Sequence, residues 1–158
     1  MQIAGIVRDS IVDGVGIRDV IFLQGCSHHC KGCHNPQTWK YNCGEFKTVA
    51  ELVKELSKST NDVTISGGEP LDQHIGLIKL AKELKLQGKH LWLYTGYTVD
   101  PKNKLYHVLS QYVDVVVDGE FVEELKDSNL LFRGSSNQRL VDLPKSIAEQ
   151  KIVLWEDE

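Results

Sequence analysis

Residues 17–33 read IRDVIFLQGCSHHCKGC. The first seven, apolar with a β-branched bias, predict a strand, and Gln24-Gly25 ends it. Cys26, Cys30 and Cys33 follow at once in the spacing C-x3-C-x2-C. The same order, a short apolar strand running straight into an unusual loop, recurs along the chain. Residues 62–66 lead into Gly-Gly-Glu-Pro (67–70), residues 90–94 into Thr-Gly-Tyr (95–97), and residues 113–117 into Asp-Gly-Glu-Phe (118–121). Between them lie helical patterns. Thr48 and Glu51 make a capping box ahead of a stripe at Val49, Leu52, Val53 and Leu56. From Leu71 a second helix carries Ile75, Leu77, Ile78, Ala81 and Leu84, with Gly88 as its stop. Pro101 opens a third through Leu105, Val108 and Leu109. Residues 151–155 (KIVLW) read as a last strand. Strands alternating with helices predict an α/β fold with a mostly parallel sheet. In such sheets the loops after the strands gather at one end, which brings the cysteine loop and the Gly-Gly-Glu loop to one pocket.

The bulk properties narrow the class. The chain has 158 residues without internal repeat or Pro/Gly-rich linker, so a single domain over 1–158 is expected. Its net charge is -4, from 22 acids against 18 bases, which argues against a nucleic-acid surface. No apolar run approaches membrane-spanning length, and the opening MQIAGIVRDS lacks the layout of a signal peptide. A cytoplasmic, reducing setting follows as the expectation. There, clustered cysteines mean metal or redox chemistry rather than a disulfide framework.

Thiolates are soft ligands, suited to zinc or to an iron–sulfur cluster. A structural zinc site needs four ligands, which here would be completed by Cys43 or by His28, His29 or His34. The other option is a four-iron cluster on three cysteines, with one iron left open for a substrate. Cysteine spacing alone leaves both open. Gly67 and Gly68 allow close approach of the backbone to a ligand, and Glu69 offers a carboxylate to a cation such as an amino group. This is no ATP-type phosphate loop, because G-x4-G-K-[ST] is absent.

Set side by side, DGVGIRDVIFLQGCSHHCKGCHNPQTW (13–39), SGGEP (66–70), WLYTGY (92–97), VVVDGEF (115–121) and FRGSSNQR (132–139) resemble the radical S-adenosylmethionine (SAM) superfamily. Within it the chain is similar to the glycyl-radical-enzyme activases. The RGSSNQ element is similar to the branch whose partner is the anaerobic ribonucleoside-triphosphate reductase, rather than pyruvate formate-lyase.

The resemblance implies a truncated partial (β/α) barrel of the radical SAM type. It implies a 4Fe-4S cluster on Cys26, Cys30 and Cys33, with SAM on the open iron. Gly67, Gly68 and Glu69 would steady the SAM amino group, and Gly32, Cys33 and His34 would meet the adenine. One electron would then split SAM into methionine and a 5'-deoxyadenosyl radical, which takes a hydrogen from a glycine of the reductase large subunit. A flavodoxin-type electron donor is implied as well, with neither nucleic acid nor membrane as partner. Other functions in play are an activase of another glycyl-radical enzyme, of the pyruvate formate-lyase type, another small radical SAM enzyme and, from a different class, a zinc-binding interaction module.

Two departures stand out. Gly32 replaces the aromatic residue that many members carry before the third cysteine, which turns attention to His34 or Trp39. Val15 replaces a proline in the D-G-P-G stretch. Cys43 is expected to be no ligand. Thr95 and Tyr97 should line the pocket, Asp118 should point into it from a strand end, and Arg133 is the candidate for docking the partner, with Arg139 beside it.

Overall fold

The computed structural model describes residues 1–33, 35–41 and 44–156. Their strands are β1 (Gln2–Ser10), β2 (Arg18–Leu23), β3 (Glu45–Phe46), β4 (Asp62–Gly67), β5 (Leu91–Tyr94), β6 (Val115–Asp118) and β7 (Arg139–Asp142). They form one sheet in the order β3-β1-β2-β4-β5-β6-β7. The central strands β2, β4, β5 and β6 run parallel, as the alternating pattern predicts. β1 and β7 run against them on either side, and β3 pairs antiparallel with the outer edge of β1. The helices are α1 (Val49–Leu56), α2 (His74–Leu86), α3 (Lys104–Leu109) and α4 (Leu143–Glu149). None is long and apolar enough to cross a membrane.

α1, α3 and α4 begin where a side chain, Thr48, Asn103 or Asp142, accepts a hydrogen bond from the first turn. The Thr48–Glu51 capping box forms as expected at α1. Pro70 starts a tight 3-10 turn, so α2 begins only at His74, after the turn. Leu77, Leu80, Ala81 and Leu84 then face the core, while Ile75 is 64% exposed. Residues 151–155 do not make a strand. The left-handed Gln150 ends α4 sharply, and the tail returns along β7 with only a single bridge, between Leu154 and Val141.

Side-chain alternation divides the sheet into two faces. Ile21, Ile65, Leu93 and Val116 look toward the helices and join Leu52, Leu80 and Leu109 in the main core. Trp92, Val115 and Val117 look the other way, where no helix covers them. Val15, Phe132, Leu140 and Trp155 cover them instead. The result is a half-open barrel with a plug at one end of its inner face.

Arg18 holds that plug. It is wholly buried, yet all five of its N–H donors find acceptors. Nε donates to Thr64 Oγ1 at 2.8 Å, Nη1 to Val15 O at 2.9 Å and to His90 Nδ1 at 3.2 Å. Nη2 donates to Val63 O at 2.9 Å and His90 O at 2.7 Å. The guanidinium also lies 5.6 Å from the Trp92 ring. Carbonyl dipoles stand in for a carboxylate, and burial lowers the Arg18 pKa to about 10, still charged at neutral pH. Arg18→Met strands those acceptors. It is expected to lower stability by roughly 3–5 kcal/mol in equilibrium urea unfolding.

Candidate active site

Beyond β2 the chain closes a loop on itself. Gly25 N donates to Thr38 O at 2.6 Å and Cys26 N to Trp39 O at 3.0 Å. Gln24 Nε2 reaches Gln37 O and Lys40 O. His29 stacks on Trp39 with centroids 4.7 Å apart and planes 6° from parallel. This frame sets Cys26, Cys30 and Cys33 into one pocket with Ser66, Gly67, Gly68 and Glu69. Backbone amides aim at the sulfurs. Asn35 N is 3.4 Å from Cys33 Sγ, the His28 and His29 amides meet Cys26, and the Phe121 amide meets Cys30. Burial pushes the Cys26 and Cys30 thiols up, and these amides pull the other way.

The paired glycines do something the sequence reading did not anticipate. A Cβ on Gly67 would stand 2.2 Å from Leu23 N, and one on Gly68 would stand 2.2 Å from Gly25 O. Gly67 also holds φ +113°. The bare sides of both residues therefore face the end of β2, which they meet through Gly68 N–Leu23 O (2.8 Å) and Glu69 N–Gly25 O (2.7 Å). Close approach is needed, but between two strand ends.

Glu69 is wholly buried. Its Oε1 accepts from His28 Nε2 at 2.7 Å, Gly96 N at 2.7 Å and Thr95 Oγ1 at 2.9 Å. Its Oε2 accepts from Leu71 N at 2.9 Å and lies 2.8 Å from the same hydroxyl. Four donors thus meet a carboxylate with about four lone-pair sites. The expected open carboxylate is instead a saturated one. The hydrogen bond to Glu69 raises the His28 pKa to about 9, with Glu120 adding to it from the other ring nitrogen at 3.0 Å. His28 thus clips the cysteine loop to the ends of β4 and β6.

The remaining candidates divide. Thr95 and Gly96 line the pocket. Tyr97 is not among the lining residues: its ring lies edge-on to His28 and its hydroxyl donates to Asp72. Asp118 does not point into the pocket. Because Val117 faces inward, Asp118 faces the opposite way, where it accepts from Val99 N at 2.9 Å and pairs with Arg139 at 2.6 Å. Arg133 donates to Gln138 O at 2.7 Å and so braces its own loop. Gly32 lies against Phe121 and Glu123. His34 and Cys43 fall outside the described residues. Trp39, Phe121 and Gln138 also line the pocket. For Gln138 the only signal in the sequence was the polar RGSSNQ run itself.

Comparisons with known proteins agree with this geometry. A family model described as a 4Fe-4S single cluster domain matches residues 12–141. The anaerobic ribonucleoside-triphosphate reductase-activating protein of Escherichia coli (strain K12) is 38% identical over 138 residues, covering 81% of this chain and 90% of that protein. Its counterpart in Enterobacteria phage T4 is 38% identical over 138 residues, covering 82% and 86%. That of Haemophilus influenzae is 34% identical over 138 residues, covering 81% and 89%. The chain therefore belongs to the 4Fe-4S single-cluster family, in the branch of the anaerobic ribonucleoside-triphosphate reductase-activating proteins. Among solved structures, the crystal structure of QueE from Escherichia coli shares the fold at TM-score 0.51 and 22% identity, over 63% of this chain and 53% of that one.

Gly68→Ala drives a methyl group into the Gly25 carbonyl and is expected to lower the melting temperature by several degrees. Gly5→Ala, with nothing within 4 Å of the new Cβ, is the control that should leave it within a degree or two. Differential scanning calorimetry of both variants checks the contrast.

Proposed function

We propose that this chain, as a single radical SAM domain, activates an anaerobic ribonucleoside-triphosphate reductase by generating a glycyl radical on its large subunit, through reductive cleavage of SAM at a 4Fe-4S cluster. The observation that carries the proposal is the meeting of three thiols with the Gly-Gly-Glu loop in one pocket. The donor set fits the cluster. The three thiols border a shared space, with amide N–H groups directed at sulfur, a feature that tunes iron–sulfur sites.

Cys26, Cys30 and Cys33 would hold the cluster, and Gly67, Gly68, Glu69 and Thr95 would border SAM, with Gly32, Cys33 and His34 on the adenine side. When bound, the cluster and SAM supply the one-electron chemistry that yields the 5'-deoxyadenosyl radical. The protein supplies order. His28 and Thr95 fix Glu69, and through it the loop that carries the thiols. An amino group held by Glu69 would take the place of one of its present donors, of which His28 is the one that comes from the cysteine loop. Asp118 has no place in this set, since its carboxylate is bound to Arg139. The electron comes from a flavodoxin-type donor, in the cytoplasm.

Anaerobically reconstituted protein is expected to contain iron and sulfide and to release methionine and 5'-deoxyadenosine when reduced with SAM. It should raise a glycyl-radical signal in electron paramagnetic resonance on the reductase. Cys30→Ser should lose the cluster, and Cys43→Ser should keep it. Colourless protein with one tightly held zinc overturns the proposal, and a radical raised only on pyruvate formate-lyase reassigns the partner.

A further inference from the structure

Trp39 is built into the cysteine loop. Its carbonyl accepts from Cys26 N at 3.0 Å, and its amide donates to Pro36 O at 3.2 Å. Thr38, just before it, is buried and bonded twice. The Thr38 carbonyl accepts from Gly25 N at 2.6 Å, and its hydroxyl donates to Asn35 O at 2.6 Å. His29 stacks on the indole with planes 6° from parallel. Backbone and ring plane are thus both fixed from within the segment that carries the thiols.

An indole has one polar group, and its Nε1–H can only donate. In Trp39 that nitrogen is buried and has no hydrogen-bond partner among the described residues. Buried indole N–H groups ordinarily meet an acceptor, because an unmatched donor away from water is costly. Trp39 lines the pocket that Cys26, Cys30 and Cys33 share. The carboxylate of that pocket, Glu69, is already filled by four donors. Sulfur, by contrast, is where N–H groups of this site are aimed: backbone amides meet Cys26, Cys30 and Cys33. The indole N–H is the side-chain member of the same set.

Resting on the functional proposal above, we propose that the Trp39 indole N–H donates a hydrogen bond to a sulfur of the 4Fe-4S cluster and thereby raises its reduction potential. One electron from the external donor makes the cluster more negative by one charge. A directed N–H favours that state, and it acts more strongly where little water competes. The indole keeps its proton throughout.

Reductive titration of anaerobically reconstituted protein, followed by electron paramagnetic resonance, tests this, with iron and sulfide measured on every sample. Trp39→Phe keeps a ring to stack on His29 and removes the N–H. At a fixed potential its ratio of reduced to oxidised cluster is expected to fall by up to about tenfold, a shift of about 59 mV to more negative potential. A loosened loop that admitted water would move the potential the other way, since water also favours the more charged state. A potential equal to wild type, or higher, overturns the inference. Should Trp39→Phe fail to assemble a cluster, hyperfine spectroscopy of reduced wild-type protein carrying indole-nitrogen-15 tryptophan decides. Trp92 and Trp155 pack on each other in the plug, and of the three tryptophans Trp39 alone lines the thiol pocket. A nitrogen-15 coupling to the cluster is expected without SAM. Its absence, or its appearance only when SAM is bound, overturns the inference. Wild-type protein that takes up no iron and sulfide would instead sink the functional proposal itself.

Discussion

The Glu69 carboxylate is the contact on which the rest of the site depends. It is a buried anion, costly to desolvate unless fully hydrogen-bonded, and its four donors come from different parts of the chain. Leu71 N belongs to its own turn, Thr95 and Gly96 to the end of β5, and His28 to the cysteine loop. Removing any one leaves charge unmatched in a dry place, so the three loops are held together by the penalty for separating them. His28 carries the bond onward to Glu120 beyond β6. A single buried charge thereby links the ends of β2, β4, β5 and β6.

The two faces of the sheet divide the labour. The helix-covered face is an ordinary apolar core, able to fold on hydrophobic burial alone. The other face has no helix, and an uncovered sheet face of this size needs something to fill it. Arg18, Trp92, Phe132 and Trp155 do so over part of that face. The thiols and the Gly-Gly-Glu loop share the opening where the strand-terminal loops meet. A second cavity runs from Cys33 to Phe132 at the border of the plug.

Much of this was legible in the sequence because periodicity and punctuation report local structure. The parallel strands and α1 with its capping box follow from apolar runs and from Thr48 and Glu51, and the shared pocket follows from four strand-to-loop junctions. What was not legible was non-local. β1 has no clean alternation because it pairs on both edges and lies partly exposed. The 151–155 run reads as a strand because Val153 and Trp155 are apolar, but Trp155 is apolar in order to cover Trp92. Asp118 was misdirected by one residue of strand register, which reverses the face. Residue types single out the Gly-Gly-Glu loop as a place of close backbone approach, but its neighbours there, Leu23 and Gly25, are set by a long-range meeting of two strand ends that no local pattern reports.

The same links make the two halves of the site thermodynamically inseparable. The thiol-bearing loop is ordered by Glu69 and Glu120 through His28, and the Gly-Gly-Glu loop is ordered by the cysteine loop through Gly25. Whatever steadies the thiols therefore also steadies Glu69 and Thr95, and coupling of this kind is reciprocal by linkage. A cluster on Cys26, Cys30 and Cys33 would raise affinity for a ligand at Glu69, and that ligand would protect the cluster in equal measure. A short chain with loops on an open sheet face gains from this arrangement: each loop is too small to order itself, and the contacts among them supply the rigidity that a closed barrel would otherwise provide.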